Sequence, residues 1–333
     1  MLCPCVEAHA VRPAPPLPAA VAQDLARVEA RLAEELLSRE ERLSAVAGHL
    51  VRAGGKRVRP TLVLLVFHAA AAGKLARRDD AIEAAVALEL IHSATLLHDD
   101  IIDGGETRRG RPSALRTFGV ADTLVAGDFL FSRAFALCAR FEAEVIRWAA
   151  EACVSLTEGE ILQSRFRRNP AVTLADYLEI IRRKTAALFE AGARTAAHLA
   201  GARPEIVAAM AACGHHVGLA FQARDDLLDV AGNPALTGKP RGIDLRDGNP
   251  SLPIVLALRA DPGLAELFVR DGLATAEVEA GLARIGRTGV LGAVAERVRE
   301  HVRAACLEIR RLHPSRDRDA LEALAAGLAA RPA

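Results

Sequence analysis

The sequence predicts an all-α protein, a helical bundle. Three observations carry this. Nearly every long segment places apolar residues at helical spacing, with no sustained period-2 alternation. No hairpin turn chemistry joins two strand-like runs. The irregular segments are few and polar, and hold most of the Gly-rich turns. The chain has 333 residues, 51% of them hydrophobic, ample for a sizeable core. No fixed-period repeat marks a solenoid.

Taken in order, residues 1–20 are Pro- and Ala-rich and read as a flexible tail, followed by a single domain over 21–333. The start lacks the basic and apolar regions of a signal peptide. Cys3-x-Cys5 has no matching Cys/His pair nearby. Cys138, Cys153, Cys213 and Cys306 are scattered in apolar helical contexts and read as small hydrophobes in a reducing compartment, hence a cytoplasmic protein. Leu25, Val28, Leu32, Leu36 and Leu43 give the first helical stripe. "VRAGGKRVRP" then precedes a helix whose first turn suits Pro60. "TLVLLVF" and the alanines after His68 are shorter than the ~20 residues a membrane span needs, so no transmembrane segment is expected. "DDAIEAAVALELIHSATLLHDDIID" opens with Asp79 and Asp80 in a first helical turn. It is apolar on most sides, which places it deep in the bundle. Segments beginning Asp122, Leu174 and Pro204 repeat the style. Net charge is +1 and aromatics are 4%, which argues against nucleic acid as a partner.

Two acidic runs break the apolar pattern. "LLHDDIID" (Leu96 to Asp103) and "ARDDLLD" (Ala223 to Asp229) share the spacing Asp-Asp-x-x-Asp. On a helix, Asp99 and Asp103 face one way, as do Asp225 and Asp229. Carboxylates gathered in a semi-buried place repel one another and resist desolvation, so a cation must compensate. Oxygen donors from two helices suit Mg²⁺, which commonly binds through one or two carboxylates plus substrate phosphates.

The basic residues point the same way. Of 43 Lys plus Arg, only Lys56, Lys74, Lys184 and Lys239 are Lys. Retained lysines mark places that favour a compact ammonium. Lys56 and Arg59 flank a helix N-terminus, a natural anion site. Lys239 lies in "TGKPRG", and Lys184 precedes Thr185 on an otherwise apolar face. Together these features describe an enzyme for a phosphorylated, greasy substrate.

"GGKRVRP", "HSATLLHDDIIDGGETRRGRPS", "GDFLFSRAF", "EGEILQ", "RRKTAALF", "AFQARDDLLD" and "TGKPRGIDLRDGNPSLP" occur in this order. On these motifs the chain resembles the trans-isoprenyl diphosphate synthases (polyprenyl synthetases) from about residue 22 onward. It is most like the long-chain octaprenyl, solanesyl and decaprenyl enzymes. The resemblance implies the isoprenoid synthase type of bundle around a central apolar cavity, usually as a homodimer, and Mg-dependent 1'-4 condensation of isopentenyl diphosphate with an allylic diphosphate.

It implies that Asp99, Asp103, Asp225 and Asp229 hold Mg²⁺, with Asp100 and Asp226 completing the motifs. Arg108, Lys184 and Lys239 would contact the allylic diphosphate. Lys56, Arg59, His92 and Arg109 would bind isopentenyl diphosphate. Thr185 and Gln222, with Lys184, would serve the developing allylic cation, and the released diphosphate is a plausible base. Asn249 stands where many members carry Lys, which removes one phosphate contact. Small residues at Ala94 and Thr95, where a bulky aromatic stops shorter products, imply a long all-trans polyprenyl chain of the quinone side-chain type, with Phe131 or Phe135 as candidate floors. The alternatives are a shorter-chain farnesyl or geranylgeranyl synthase, a non-catalytic subunit of a heteromeric synthase, or a class I terpene cyclase. His215-His216 reads as a core or interface feature, and Trp148 and Tyr177 take no role.

Overall fold

The computed structural model describes residues 16–233 and 241–330. Among them are fifteen α-helices, one π-helical segment and a single two-stranded hairpin. In chain order the helices are α1 (Ala19–Glu35), α2 (Glu41–Val51), α3 (Val58–Ala71) and α4 (Arg78–Ile102). After the hairpin come α5 (Ala114–Cys138), α6 (Ala143–Phe166), α7 (Leu174–Ile181), the π segment (Arg182–Ala186), α8 (Ala187–Leu199) and α9 (Pro204–Ala231). The last six are α10 (Ile243–Asp247), α11 (Leu252–Ala260), α12 (Gly263–Phe268), α13 (Thr275–Arg287), α14 (Val290–Ile309) and α15 (Arg316–Ala329). The predicted all-α class is what is observed.

The N-terminal boundary differs slightly from expectation. Helix α1 begins at Ala19, inside the expected tail, because Val21, Val28 and Leu32 form a stripe with no solvent exposure. Cys3, Cys5 and Lys239 lie outside the described residues.

Helices α4 and α9 are the central rods. At 25 and 28 residues they run about 38 and 42 Å at 1.5 Å per residue. Both are long and apolar enough to cross a membrane by length and composition. However, 67% and 56% of their most apolar stretches are covered by other helices, and both end in aspartates, so core packing accounts for their apolarity. Helix α4 packs on α5, α3, α1 and α8; α9 packs on α14 and α8. The α8–α9 approach is close because a Cβ at Gly218 would lie 2.6 Å from the Ala186 Cα.

One expectation is corrected. A hairpin does exist: Thr107–Arg108 pairs antiparallel with Arg111–Pro112. Its turn residues Arg109 and Gly110 have φ of 54° and 73°, the paired left-handed geometry of a primed turn. Two-residue strands are too short to display alternation, and Arg-Gly is not a usual signature for such a turn.

The remaining singular residues are structural. His215 faces Glu190 (Nδ1 to Oε2, 3.4 Å), while His216 meets His301 between α9 and α14 (Nδ1 to Nδ1, 3.3 Å), so the adjacent histidines diverge. The Arg194 guanidinium lies 5.6 Å over Trp148. Cys138 and Cys213 are buried, Cys153 and Cys306 half-buried; burial pushes the Cys213 thiol up to about 12, which keeps it unreactive.

Candidate active site

Both acidic runs occupy the C-terminal ends of their helices. A helix C-terminus is already the negative end of the backbone dipole, so aspartates are least welcome there. The first run is compensated residue by residue. Lys184 Nζ lies 4.0 Å from Asp99 Oδ1 while gripping Glu160. Arg108 binds Asp100 Oδ1 through Nε and Nη2 (2.9 and 2.6 Å). Arg167 Nη2 binds Asp103 Oδ1 at 2.6 Å. Burial pushes the Asp99 carboxyl up to about 7, although Lys184 pulls it down. Lys184 cannot prevail because its ammonium sits closer to Glu160.

In the second run, Asp225 is exposed and Asp226 buried. Asp226 accepts from Tyr177 Oη (2.7 Å), Gln222 Nε2 (2.8 Å) and the Leu252 amide (2.9 Å). Even with three donors, burial holds its carboxyl up at about 6. Asp229 accepts the Ile243 and Asp244 amides, which ties the start of α10 to α9. Asp244 joins this carboxylate group; burial and then Asp229, Asp226 and Asp225 drive it well above the usual range. Thr185 Oγ1 donates to Gln222 Oε1 (2.9 Å), so Thr185, Gln222, Asp226 and Tyr177 form one chain.

Tyr177, Glu160, Arg167 and Asp244 join the site without having been expected there from the sequence. Glu160 and Asp244 stood inside quoted motifs, "EGEILQ" and "GIDLRDGNP"; for Tyr177 and Arg167 the sequence offered no signal.

A basic cluster lies beside the first run. His92 is half-buried, and its imidazole is driven well below its ordinary value by burial, then by Arg59, Arg109, Arg108 and Arg57. It is therefore a neutral hydrogen-bonding group among cations. Arg57 is spent on Glu29 (2.5 Å), Glu89 (3.0 Å) and the Val51 carbonyl. Arg59 has no such partner: it lies 4.6 Å over the Phe189 ring with its Nε buried and unpaired. Burial lowers it to about 10, so it stays charged at neutral pH. Arg109 donates to the Leu50 carbonyl (3.2 Å) from its left-handed backbone, and Lys56 is exposed just ahead of α3.

The π segment sets Lys184 and Thr185. π bulges insert a residue into a helix and are common at functional sites. Helix α6 closes onto the bulge at Gly159, where a Cβ would lie 2.5 Å from the Lys184 amide nitrogen.

Below the first run is an apolar crevice lined by Ala84, Leu88, Ile91, Phe141, Val145 and Gly192 among others. Its cavity volume is only about 30 Å³, so it is a seam rather than an open tunnel. Counting about 100° per residue back from Asp99, Thr95, Leu88 and Ala84 all fall within about 60° of it on α4. Ala94 lies about 140° round and is fully buried. The crevice thus continues the Asp99 face inward. Helix α5 runs antiparallel to α4, with His98 3.2 Å from the Leu124 carbonyl, which sets Phe141 opposite Ala84 at the far end. Phe131 and Phe135 do not line it; Phe135 is 43% exposed and stacks on Phe131.

Comparison with known proteins gives concordant matches. A family model described as polyprenyl synthetase matches residues 40–283. The all-trans-nonaprenyl-diphosphate synthase (geranyl-diphosphate specific) of Rhodobacter capsulatus is 35% identical, covering 91% of this chain and 93% of that one. A short chain isoprenyl diphosphate synthase of Methanothermobacter thermautotrophicus is 37% identical, covering 86% and 89%. The crystal structure of a polyprenyl synthase from Caulobacter crescentus, complexed with calcium and isoprenyl diphosphate, superposes with a TM-score of 0.89 at 35% identity, covering 94% and 96%.

Proposed function

Because this chain belongs to the polyprenyl synthetase family, we propose that it condenses isopentenyl diphosphate onto an allylic diphosphate to build a long all-trans polyprenyl diphosphate. The chain is a prenyltransferase. The observation that carries the reading is the juxtaposition of two carboxylate groups at helix C-termini with a basic cluster around neutral His92.

The donor set fits Mg²⁺. It consists of carboxylate oxygens from two helices, the hard donors that this ion takes alongside substrate phosphates. Asp99, Asp103, Asp225 and Asp229 would hold it. The ion supplies charge stabilisation to the departing diphosphate.

The chain's own groups do the rest. Arg108 and Lys184, with Lys239 in the segment beyond α9, bind the allylic diphosphate and meet its growing charge. Lys56, Arg59, Arg109 and neutral His92 seat isopentenyl diphosphate, with Arg59 held by two aromatic faces. Gln222 and Thr185 turn oxygen dipoles toward the cation that forms when the allylic C–O bond breaks. The alkene of isopentenyl diphosphate attacks that cation, and the released diphosphate accepts the proton that leaves. Apolar α4 and α8 side chains exclude water that would quench the cation.

The seam beyond Thr95 supports a long product over the short-chain reading, with Phe141 in place of Phe131 or Phe135 as its floor. A homodimer, quinone side chains as destination and a cytoplasmic setting complete the proposal. Support for the dimer is an apolar strip on α5 and α6, with Val120, Leu124, Val125, Ile146, Val154 and Ile161 exposed. The deciding experiment gives purified protein labelled isopentenyl diphosphate, Mg²⁺ and ten-, fifteen- or twenty-carbon starters. Chelator-sensitive products well beyond twenty carbons are expected; a stop at fifteen or twenty carbons refutes the length, and no condensation by folded protein refutes the function.

A further inference from the structure

We propose that Arg167 is an additional binding residue for the allylic diphosphate, which rests on Asp103 until substrate arrives. This rests on the proposed function. Arg167 terminates α6, on a stretch where no role has been assigned. Its neighbour Arg168 is locked in a left-handed conformation (φ 54°), with its amide on the Gly248 carbonyl (2.8 Å) and its guanidinium on the Arg246 carbonyl (3.1 Å) and Asp271 (2.6 Å). A non-glycine residue held there is strained and must be over-determined by its surroundings. That anchor leaves Arg167 to enter the mouth, where Nη2 meets Asp103.

Two features set this pair apart from a surface ion pair. Asp103 belongs to the carboxylates that would hold the divalent ion, so an ion bound there competes with Arg167 for the carboxylate's charge. The Arg167 Nε is buried with no hydrogen-bond partner, although the side chain as a whole is 28% exposed. A buried guanidinium N–H without an acceptor is costly, and a phosphate oxygen would satisfy it. Arg167 also lies one residue from Arg168, whose amide binds the Gly248 carbonyl next to Asn249. An incoming diphosphate with its cation would exchange partners: Asp103 takes the ion, and Arg167 turns its fork to the phosphate.

The test uses full-length protein with Arg167→Gln and Arg167→Lys. Calorimetry follows binding of inorganic pyrophosphate with Mg²⁺, and steady-state assays give KM for each substrate separately. Arg167→Gln is expected to weaken pyrophosphate binding and raise the allylic KM by about tenfold or more, the scale of one charge-assisted contact, with the isopentenyl diphosphate KM unchanged. Arg167→Lys, which keeps the charge and loses the fork, should fall between and judges the idea alone if the Gln variant does not fold. Unchanged affinity and KM, or an equal rise in both KM values, overturns it, whatever happens to the melting temperature. If the wild type makes no product the functional reading fails, and the pyrophosphate titration still decides on Arg167.

Discussion

Replacing Tyr177 with Phe tests the buried wiring of the second acidic run. The ring is about 1% exposed, so the substitution removes one oxygen and leaves the packing in place. What is lost is the 2.7 Å bond from the hydroxyl to Asp226, one of three that the buried carboxylate accepts. A hydrogen bond to a charged group contributes about 1.5–3 kcal/mol, and a neutral one about 1 kcal/mol. Which figure applies depends on pH. The folded Asp226 carboxyl sits at about 6, above its ordinary 3.8, because of burial. The folded state therefore holds the proton more tightly than the unfolded chain, and the contribution of Asp226 to wild-type stability falls as pH rises from about 4 through about 6. The hydroxyl matters most once Asp226 is ionised. Urea unfolding should show Tyr177→Phe destabilised by about 2 kcal/mol at pH 8 and about 1 kcal/mol at pH 5. In an Asp226→Asn background the pH dependence should disappear. A loss equal at both pH values, or below about 0.5 kcal/mol at pH 8, would refute this account of how Asp226 is held.

Three further outcomes are expected. Asp99 is part-protonated near neutrality, with its carboxyl at about 7, and a metal must displace that proton. Apparent Mg²⁺ affinity should rise by up to about tenfold per pH unit below 7 and level off above it, with proton release seen in buffers of different ionisation heat; a flat profile would count against the assignment. At Gly192 a Cβ would lie 2.6 Å from a Leu88 methyl, so Gly192→Ala should narrow the seam and shorten the products. Leu88→Ala should lengthen them; two unchanged product distributions would show that the seam does not hold the growing chain. Val125→Glu, at a side chain 54% exposed on α5, should convert a dimer to monomers in sedimentation, and a wild-type chain that is already monomeric would dismiss the strip as an interface.

Helices α4 and α9 were legible because their signal is local. Their apolar residues run on every side, and the aspartates follow at a spacing that any helix turns to one face. The start of α3 was legible for the same reason, through Pro60 and the glycines ahead of it. The partners of the acids were not. Arg167 reaches Asp103 across 64 residues and Tyr177 reaches Asp226 across 49, and no periodicity carries such distances. The hairpin at Arg109 escaped because its strands have two residues each. Phe131 and Phe135 miss the crevice because they lie on the turns of α5 that face outward and toward α4, while Phe141, just past the end of that helix, lines it.

The bulge at Arg182–Ala186 makes α7 and α8 a single rod with a dislocation in it. Along an unbroken helix, neighbouring side chains leave at a fixed angle, and the turns above and below a site are locked to it. The additional residue relaxes that lock. Lys184 goes to Asp99 and Glu160, Thr185 goes to Gln222, and one turn or two earlier Tyr177 still reaches Asp226. Removing one residue from the bulge would heal the rod and rotate all of α7 by about 100° against α8. The chain would keep its helix content and lose the alignment of Tyr177 with Lys184. Insertions and deletions at this point, more than most point substitutions, would uncouple the two acidic sites from each other.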